Sequence, residues 1–287
     1  MEQPPVVAVI APGGMGAPVG ARLVQRGATV LTDLDGRSAA SVARAEAAGM
    51  RRAGLAEIAG ADLILSIVPP GNALGLAERL APVIEGLGAA PVYVDCNAVS
   101  PQTVRQIAGV IERAGTPFVD AGIVGGPPTA AGYCPAFYAS GEDAGRFAIL
   151  RDYGLDVRVI EGAVGQASAL KMCYAGLTKG LHAVGVSVLL GALKAGVADH
   201  LLAELADSQP DLLDYFTGRT PGIFGKTYRW VAEMEEIGAF LGGPGGRIYD
   251  GAARLYEQLA EDHEDEQLQQ GALVALLRGA KGPRGAA

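Results

Sequence analysis

The sequence predicts an α/β chain, with a parallel sheet covered by helices in its first part and an all-α second part. Up to about Gly165, short apolar runs rich in Val, Ile and Leu alternate with Ala-rich segments of helix length, the signature of a parallel sheet buried on both faces. Beyond Gly165 the strand-like runs stop and helical patterns take over. Among 287 residues, 49% are hydrophobic, 19% charged and 42 are glycine, which excludes a disordered or fibrous chain.

The strands are expected at Val6–Ala11, Thr29–Asp33, Leu63–Val68, Val92–Asp95, Pro117–Asp120, Ala136–Ser140 and Val157–Ile160. Ser38–Ala48 and Asn72–Glu85 read as helices between them, because they are long enough and rich in helix formers. A long helix begins near Gln166, continues to about Ala195, and is followed by helical pieces to Leu277. The expected division is 1–163 for the sheet-bearing domain and 164–287 for the helical domain. Gly279–Ala287, with Gly, Pro, Lys and Arg, reads as a frayed tail.

Composition narrows the function classes. Lys plus Arg is 23 against 31 for Asp plus Glu, a net charge of −8, so no nucleic-acid partner is expected. Three cysteines, Cys96, Cys134 and Cys173, have neither disulfide-framework nor zinc spacing, which points to a reducing cytoplasm. The start Met1-Glu2-Gln3-Pro4-Pro5 lacks a secretory pattern, and the longest uncharged stretch, Ala121–Gly141, holds five glycines and three prolines, so no membrane partner is expected.

The first apolar run leads into Ala11-Pro12-Gly13-Gly14-Met15-Gly16 and then into a helix. Small residues at such a turn let backbone N–H groups approach a pyrophosphate at a helix N-terminus, the phosphate loop of a Rossmann-type domain. Ala11 stands where that pattern has its first glycine, and the turn survives if Ala11 stays out of the left-handed region. At the end of the second strand two readings compete. Asp33 or Asp35 would bind ribose hydroxyls of NAD, whereas Arg37 with Ser38 would hold the 2′-phosphate of NADP by a charge-assisted fork while Ser38 caps the next helix. NADP is preferred, since Asp33 also reads as a strand-end turn residue; NAD stays open. Val68 and Pro69 follow one strand and Asn97 follows another, where an open parallel sheet binds ligands, and Asn97 can offer donors and acceptors to a ribose or carboxamide.

On the helix from Gln166, Lys171, Thr178 and His182 fall within about 20° of one line, with Tyr174 on the flank. Such a stripe, lining a cleft, would exchange a proton with a substrate oxygen. Core packing is the preferred reading for Thr178 and His182, and Lys179, off this line, reads as structural. Cys173 is expected in buried packing, and Glu261–Glu266 as a solvated acidic face rather than a metal site.

Taken together, Ala11–Gly16, Val68-Pro69, Asp95–Pro101, Asp120–Gly126 and Gly162–Lys171 resemble the β-hydroxyacid dehydrogenase family, relatives of 6-phosphogluconate dehydrogenase. Lys226–Ile237 is similar to a bacterial branch with a short helical C-terminal domain. The resemblance implies an NAD(P)-dependent oxidoreductase moving a hydride between nicotinamide C4 and a carbonyl/alcohol carbon of a small substrate. It implies Lys171 as general acid/base, its pKa lowered by desolvation. It also implies Val124, Gly125 and Gly126 as the substrate loop and Arg229, near the cofactor, as holder of a substrate anion; Tyr174, on the flank of the helix stripe, is read from its position as a second proton-transfer candidate or as a stand-in for the family's asparagine. Two positions depart from the family: Val124 replaces its usual serine and Ala175 its usual asparagine, which disfavours a simple 3-hydroxy acid and favours a bulkier or less charged substrate. An imine reductase shares the architecture but commonly carries another residue where Lys171 stands, and a non-catalytic nucleotide sensor is the alternative outside enzymes. An apolar long helix in a small helical half predicts a homodimer.

Overall fold

A computed structural model of the chain describes residues 3–280. It divides into two compact units, Met1–Met172 and Cys173–Ala287.

The first unit is built on one eight-stranded sheet. Its strands are β1 (Val6–Ile10), β2 (Thr29–Thr32), β3 (Arg51–Arg52), β4 (Leu63–Ser66), β5 (Val92–Asp95), β6 (Phe118–Val124), β7 (Ala136–Ser140) and β8 (Asp156–Val159). Their order is β3-β2-β1-β4-β5-β6-β7-β8, so the winding reverses between β1 and β4. Every pair is parallel except β6 with β7. Alternation along each strand sends Val7, Val9, Leu63, Leu65 and Val94 to one core, beneath α1 (Gly16–Gln25) and α2 (Ala39–Ala47). Ala8, Ile10, Ile64 and Tyr93 enter the other, beneath α3 (Leu55–Ala59), α4 (Ala73–Leu87) and α5 (Pro101–Arg113). Both faces are therefore dry, as a parallel sheet requires.

Three differences from the sequence reading have local causes. The fourth strand stops at Ser66: Ile67 N still donates to the Ile10 carbonyl of β1, but Val68 N leaves the ladder and donates to the Asn97 side chain. Ala121–Val124, expected to lie beyond a strand ending at Asp120, is strand, because β6 runs on in antiparallel pairing from Asp120↔Ser140 to Val124↔Ala136. Two-residue β3 and five-residue α3 are too short to leave a periodic signal. A short helix α6 (Ala144–Phe147) precedes β8.

Helix α7 spans Gln166–Ala195, and its 30 residues begin where the sequence places them. By length and composition alone it could cross a membrane, a test that the core helix of a soluble protein also passes. In the second unit Ala175, Ala183, Val186 and Leu189 of α7 are buried, while Leu177, Leu181, Val184 and Val188 lie exposed at a 4-3-4 spacing. The unit is completed by α8 (Ala198–Ser208), α9 (Pro210–Arg219), α10 (Thr227–Leu241), α11 (Gly243–Glu264) and α12 (Leu268–Ala280). Gly279 and Ala280 are helical, and the rest of the expected frayed tail lies outside the described residues.

Candidate active site

The phosphate loop lies at the switch point, between the carboxyl ends of β1 and β4. Ala11 N donates to Ile67 O, tying the two loops, and Gly13 N turns back onto Ala11 O at 2.8 Å. Ala11 has no positive φ, so the turn holds without the first glycine. Gly16 is indispensable for space: a Cβ there would fall 2.0 Å from the Ala11 carbonyl oxygen. Gly13 and Gly14 face open space, and among the described residues Gly14, Met15 and Gly16 donate no backbone hydrogen bond. These unclaimed N–H groups lie at the start of α1, where the end of a helix favours a negative charge.

At the end of β2 the two competing readings separate. Asp33 is buried, and its carboxylate accepts Arg79 Nη2 at 2.7 Å and Asp35 N at 3.0 Å. Asp35 pairs with Arg52. Arg37 is half-buried and its Nε is fully enclosed with no hydrogen-bond partner. Ser38 caps α2, accepting Ser41 N at 3.3 Å, as expected of it. Sequence reasoning missed Arg44. It reaches back from α2, donating from Nε to Pro12 O at 3.1 Å and from Nη2 to Ser41 Oγ at 2.9 Å, and so joins the Arg37 segment to the phosphate loop. The spacing Ser38, Ser41, Arg44 on one helix face was the available signal.

Asn97 requires a correction. Its side chain does not face outward toward a ribose or carboxamide but is buried, with Nδ2 donating to Ser66 Oγ at 2.7 Å and to Asp95 Oδ2 at 2.8 Å. Its Oδ1 accepts Val68 N at 2.7 Å. Asn97 therefore shapes the Val68-Pro69 turn from behind, where Pro69 is exposed. Asp95 is buried beside it, and desolvation pushes its carboxyl up to about 7, against the lowering effect of the Asn97 hydrogen bonds.

On β6, the Asp120 carboxylate is fully buried. Its Oδ2 accepts Gly165 N at 2.8 Å, Ser168 N at 3.1 Å and Ser140 Oγ at 3.0 Å, while Oδ1 accepts Ser168 Oγ at 2.7 Å. Gly122, on the same face of the strand, leaves room for α7: a Cβ there would come within 3.0 Å of Ala167 O and Lys171 Cβ. Lys171 is half-buried, and Nζ donates to Ile123 O at 2.5 Å. Val124 ends the strand, and Gly125 and Gly126 are exposed beyond it. The Tyr133 hydroxyl closes over Gly125, where a Cβ would meet it at 2.2 Å.

Within the second unit, Tyr174 and Arg229 are both exposed, with the Arg229 guanidinium over the Tyr228 ring. Thr178 donates back to the Tyr174 carbonyl. His182 is buried and stacks on Tyr215 at 4.9 Å, and burial together with the nearby Arg219 charge pushes it down to about 4. Lys179 is paired with Glu233 and packed over Trp230. Cys173 is exposed, contrary to the buried packing expected, because it faces away from the buried side of α7. The Glu261–Glu266 run is not all solvated: Asp262 caps α12, accepting Gln269 N and Gln270 N, each at 2.9 Å.

The first unit fits a nicotinamide dinucleotide. It offers a helix N-terminus with unclaimed N–H groups for the pyrophosphate and the enclosed, unpartnered Arg37 Nε at the end of β2. Comparison with known proteins agrees. Residues 6–151 match the NAD-binding domain of 6-phosphogluconate dehydrogenase, and residues 192–259 match a domain of unknown function. An uncharacterized 28.5 kDa protein of Methanothermus fervidus is 33% identical over 181 residues, 63% of this chain and 68% of the relative. A probable 3-hydroxyisobutyrate dehydrogenase of Mycobacterium tuberculosis is 27% identical over 218 residues, 75% of this chain and 69% of the relative. A solved conserved protein of unknown function, described as structurally similar to 3-hydroxyacid dehydrogenases, superposes with a TM-score of 0.68 at 30% identity, over 92% of this chain and 99% of its own. The chain belongs to the β-hydroxyacid dehydrogenase family, with an NAD-binding domain of the 6-phosphogluconate dehydrogenase type. It is an oxidoreductase of that type, using a nicotinamide cofactor.

Proposed function

We propose that the protein is an NADP-preferring enzyme that interconverts a small hydroxy compound and its carbonyl partner, with Lys171 as general acid/base. The observation that carries this reading is the Lys171 amine held on the Ile123 carbonyl at the carboxyl end of β6, in the unit that carries the phosphate loop. When bound, the nicotinamide takes up or supplies the carbon-bound hydrogen with its electron pair. Lys171 accepts the hydroxyl proton in the oxidative direction and returns it to the carbonyl oxygen in the reductive one. Gly14, Met15 and Gly16 would hold the pyrophosphate, and Arg37, Ser38 and Arg44 the 2′-phosphate. The engagement of Asp33 by Arg79 supports NADP, since that carboxylate is already spent inside the fold.

Val124 in place of the family's serine, and Ala175 in place of its asparagine, favour a substrate less charged or bulkier than 3-hydroxyisobutyrate. Tyr174 and Arg229 are exposed and so available to a small molecule. The cytoplasm is the proposed compartment and a homodimer the proposed assembly, supported by the exposed apolar row on α7. The test pairs cofactor titration with turnover. NADPH binds more tightly than NADH, and Arg37→Ala removes at least tenfold of that preference, roughly the worth of one charge-assisted contact. Lys171→Ala abolishes NADP+-dependent oxidation of hydroxy acids and NADPH-dependent reduction of semialdehydes and ketones while leaving cofactor affinity unchanged. Turnover of cyclic imines alone, or turnover surviving Lys171→Ala, overturns the reading.

A further inference from the structure

Strand β6 and the first turns of α7 meet at three consecutive points: Asp120 on the helix N-terminus, Gly122 against Lys171 Cβ, and the Ile123 carbonyl on Lys171 Nζ. The strand cannot slide, because Asp120 is in register with Asp95 on one side and Ser140 on the other. The helix has no cap of its own, since Glu161–Gln166 contains no Ser, Thr, Asn or Asp. The cap comes instead from a carboxylate 45 residues upstream in sequence, with Ser140 Oγ donating to Asp120 and accepting Ala167 N. A local cap follows its helix wherever the helix goes, whereas this one fixes the helix to the sheet. Ser168, which takes two of the Asp120 bonds, lies three residues before Lys171 and on the same helix face.

We propose that Asp120 is a positioning residue, whose carboxylate pins the first turn of α7 to β6 and thereby sets where the Lys171 amine lies. The proposal rests on the reading of Lys171 as the proton-transfer group, and its test separates the two. The full chain is reductively methylated with [13C]formaldehyde, and the signals of its five lysines are followed by NMR through a pH titration, with Lys171→Ala assigning Lys171. In Asp120→Ala the Lys171 signal moves and titrates at a different midpoint, while the Lys194 and Lys226 signals stay in place. In turnover, Asp120→Ala lowers kcat about a hundredfold, the cost of a misplacement near 1 Å, with the cofactor KM unchanged. Asp120→Asn, which keeps an accepting oxygen, recovers about tenfold of that loss.

If Asp120→Ala fails to fold by circular dichroism, Ser168→Ala, which removes only the bond to Oδ1, carries the test and lowers kcat at unchanged KM. A folded Asp120→Asn or Ser168→Ala with an unmoved Lys171 signal and wild-type kcat overturns the proposal. Turnover surviving Lys171→Ala overturns the role of the lysine instead, while the NMR titration, which needs no substrate, still decides whether Asp120 positions it.

Discussion

At the scale of single residues, the phosphate loop depends on the absence of two side chains for different reasons. Gly16 has no room for one, because its Cβ would meet the Ala11 carbonyl, whereas Gly14 faces open space. Gly16→Ala is therefore expected to cost about 1–3 kcal/mol of stability, measured by urea denaturation, as the turn shifts to relieve the overlap. Gly14→Ala should leave stability within about 0.5 kcal/mol of wild type yet weaken NADPH binding in a fluorescence titration, because on the proposed reading the added methyl stands where the pyrophosphate would approach. Equal stability losses in both variants would contradict this division. The glycine pattern was legible in the sequence because it is local. Asp120 was not, since its partner Gly165 lies 45 residues away, and Arg44 showed only its local spacing to Ser41, its other partner Pro12 lying 32 residues away.

At the scale of elements, strands and helices with strong periodicity were legible, and the misreadings fell where pairing overrode local pattern. The strand was expected to end at Asp120 and runs on to Val124, and the close approach of α7 is what requires Gly122 within it. Asn97 looked like a ligand contact and is a brace between the β4 and β5 ends. The carboxyl it braces has a measurable signature. Because burial raises Asp95 in the folded state to about 7, the folded protein binds a proton there that the unfolded chain, titrating near the ordinary carboxylate range, has released. This contribution to stability is complete below about pH 4 and is lost as pH rises toward 7. His182 acts in the opposite sense: its depressed value gives stability present above about 6.5 and lost as pH falls toward 4. The comparison must therefore be between variants. Asp95→Asn cannot ionise, though its amide nitrogen cannot accept one of the two Asn97 bonds, so its stability relative to wild type should rise by on the order of 2–4 kcal/mol as pH goes from 5 to 7.5 in urea denaturation. An unchanged difference would mean that Asp95 is not held protonated.

For the whole molecule, the switch from alternating strands to continuous helix near Gly165 made the two-part architecture legible, since periodicity changes there over many residues. The row Leu177, Leu181, Val184 and Val188 was not singled out, because sequence does not show which apolar face of α7 its own unit covers. Four large apolar side chains in one exposed row are costly to leave in water. Light scattering at micromolar concentration is expected to give twice the 29.2 kDa chain mass. Leu181→Glu with Val188→Glu should give a single chain of unchanged helicity, by placing four like charges at the symmetric contact. A monomeric wild type would refute the assembly.

The double anchorage of Arg44 on Pro12 and Ser41 has a bearing on how affinity is built. A free arginine samples many rotamers and loses about 0.5–1.5 kcal/mol on being stilled by a ligand. Arg44 has already undergone that loss during folding, so an anion arriving beside it meets a guanidinium whose disorder has been removed in advance.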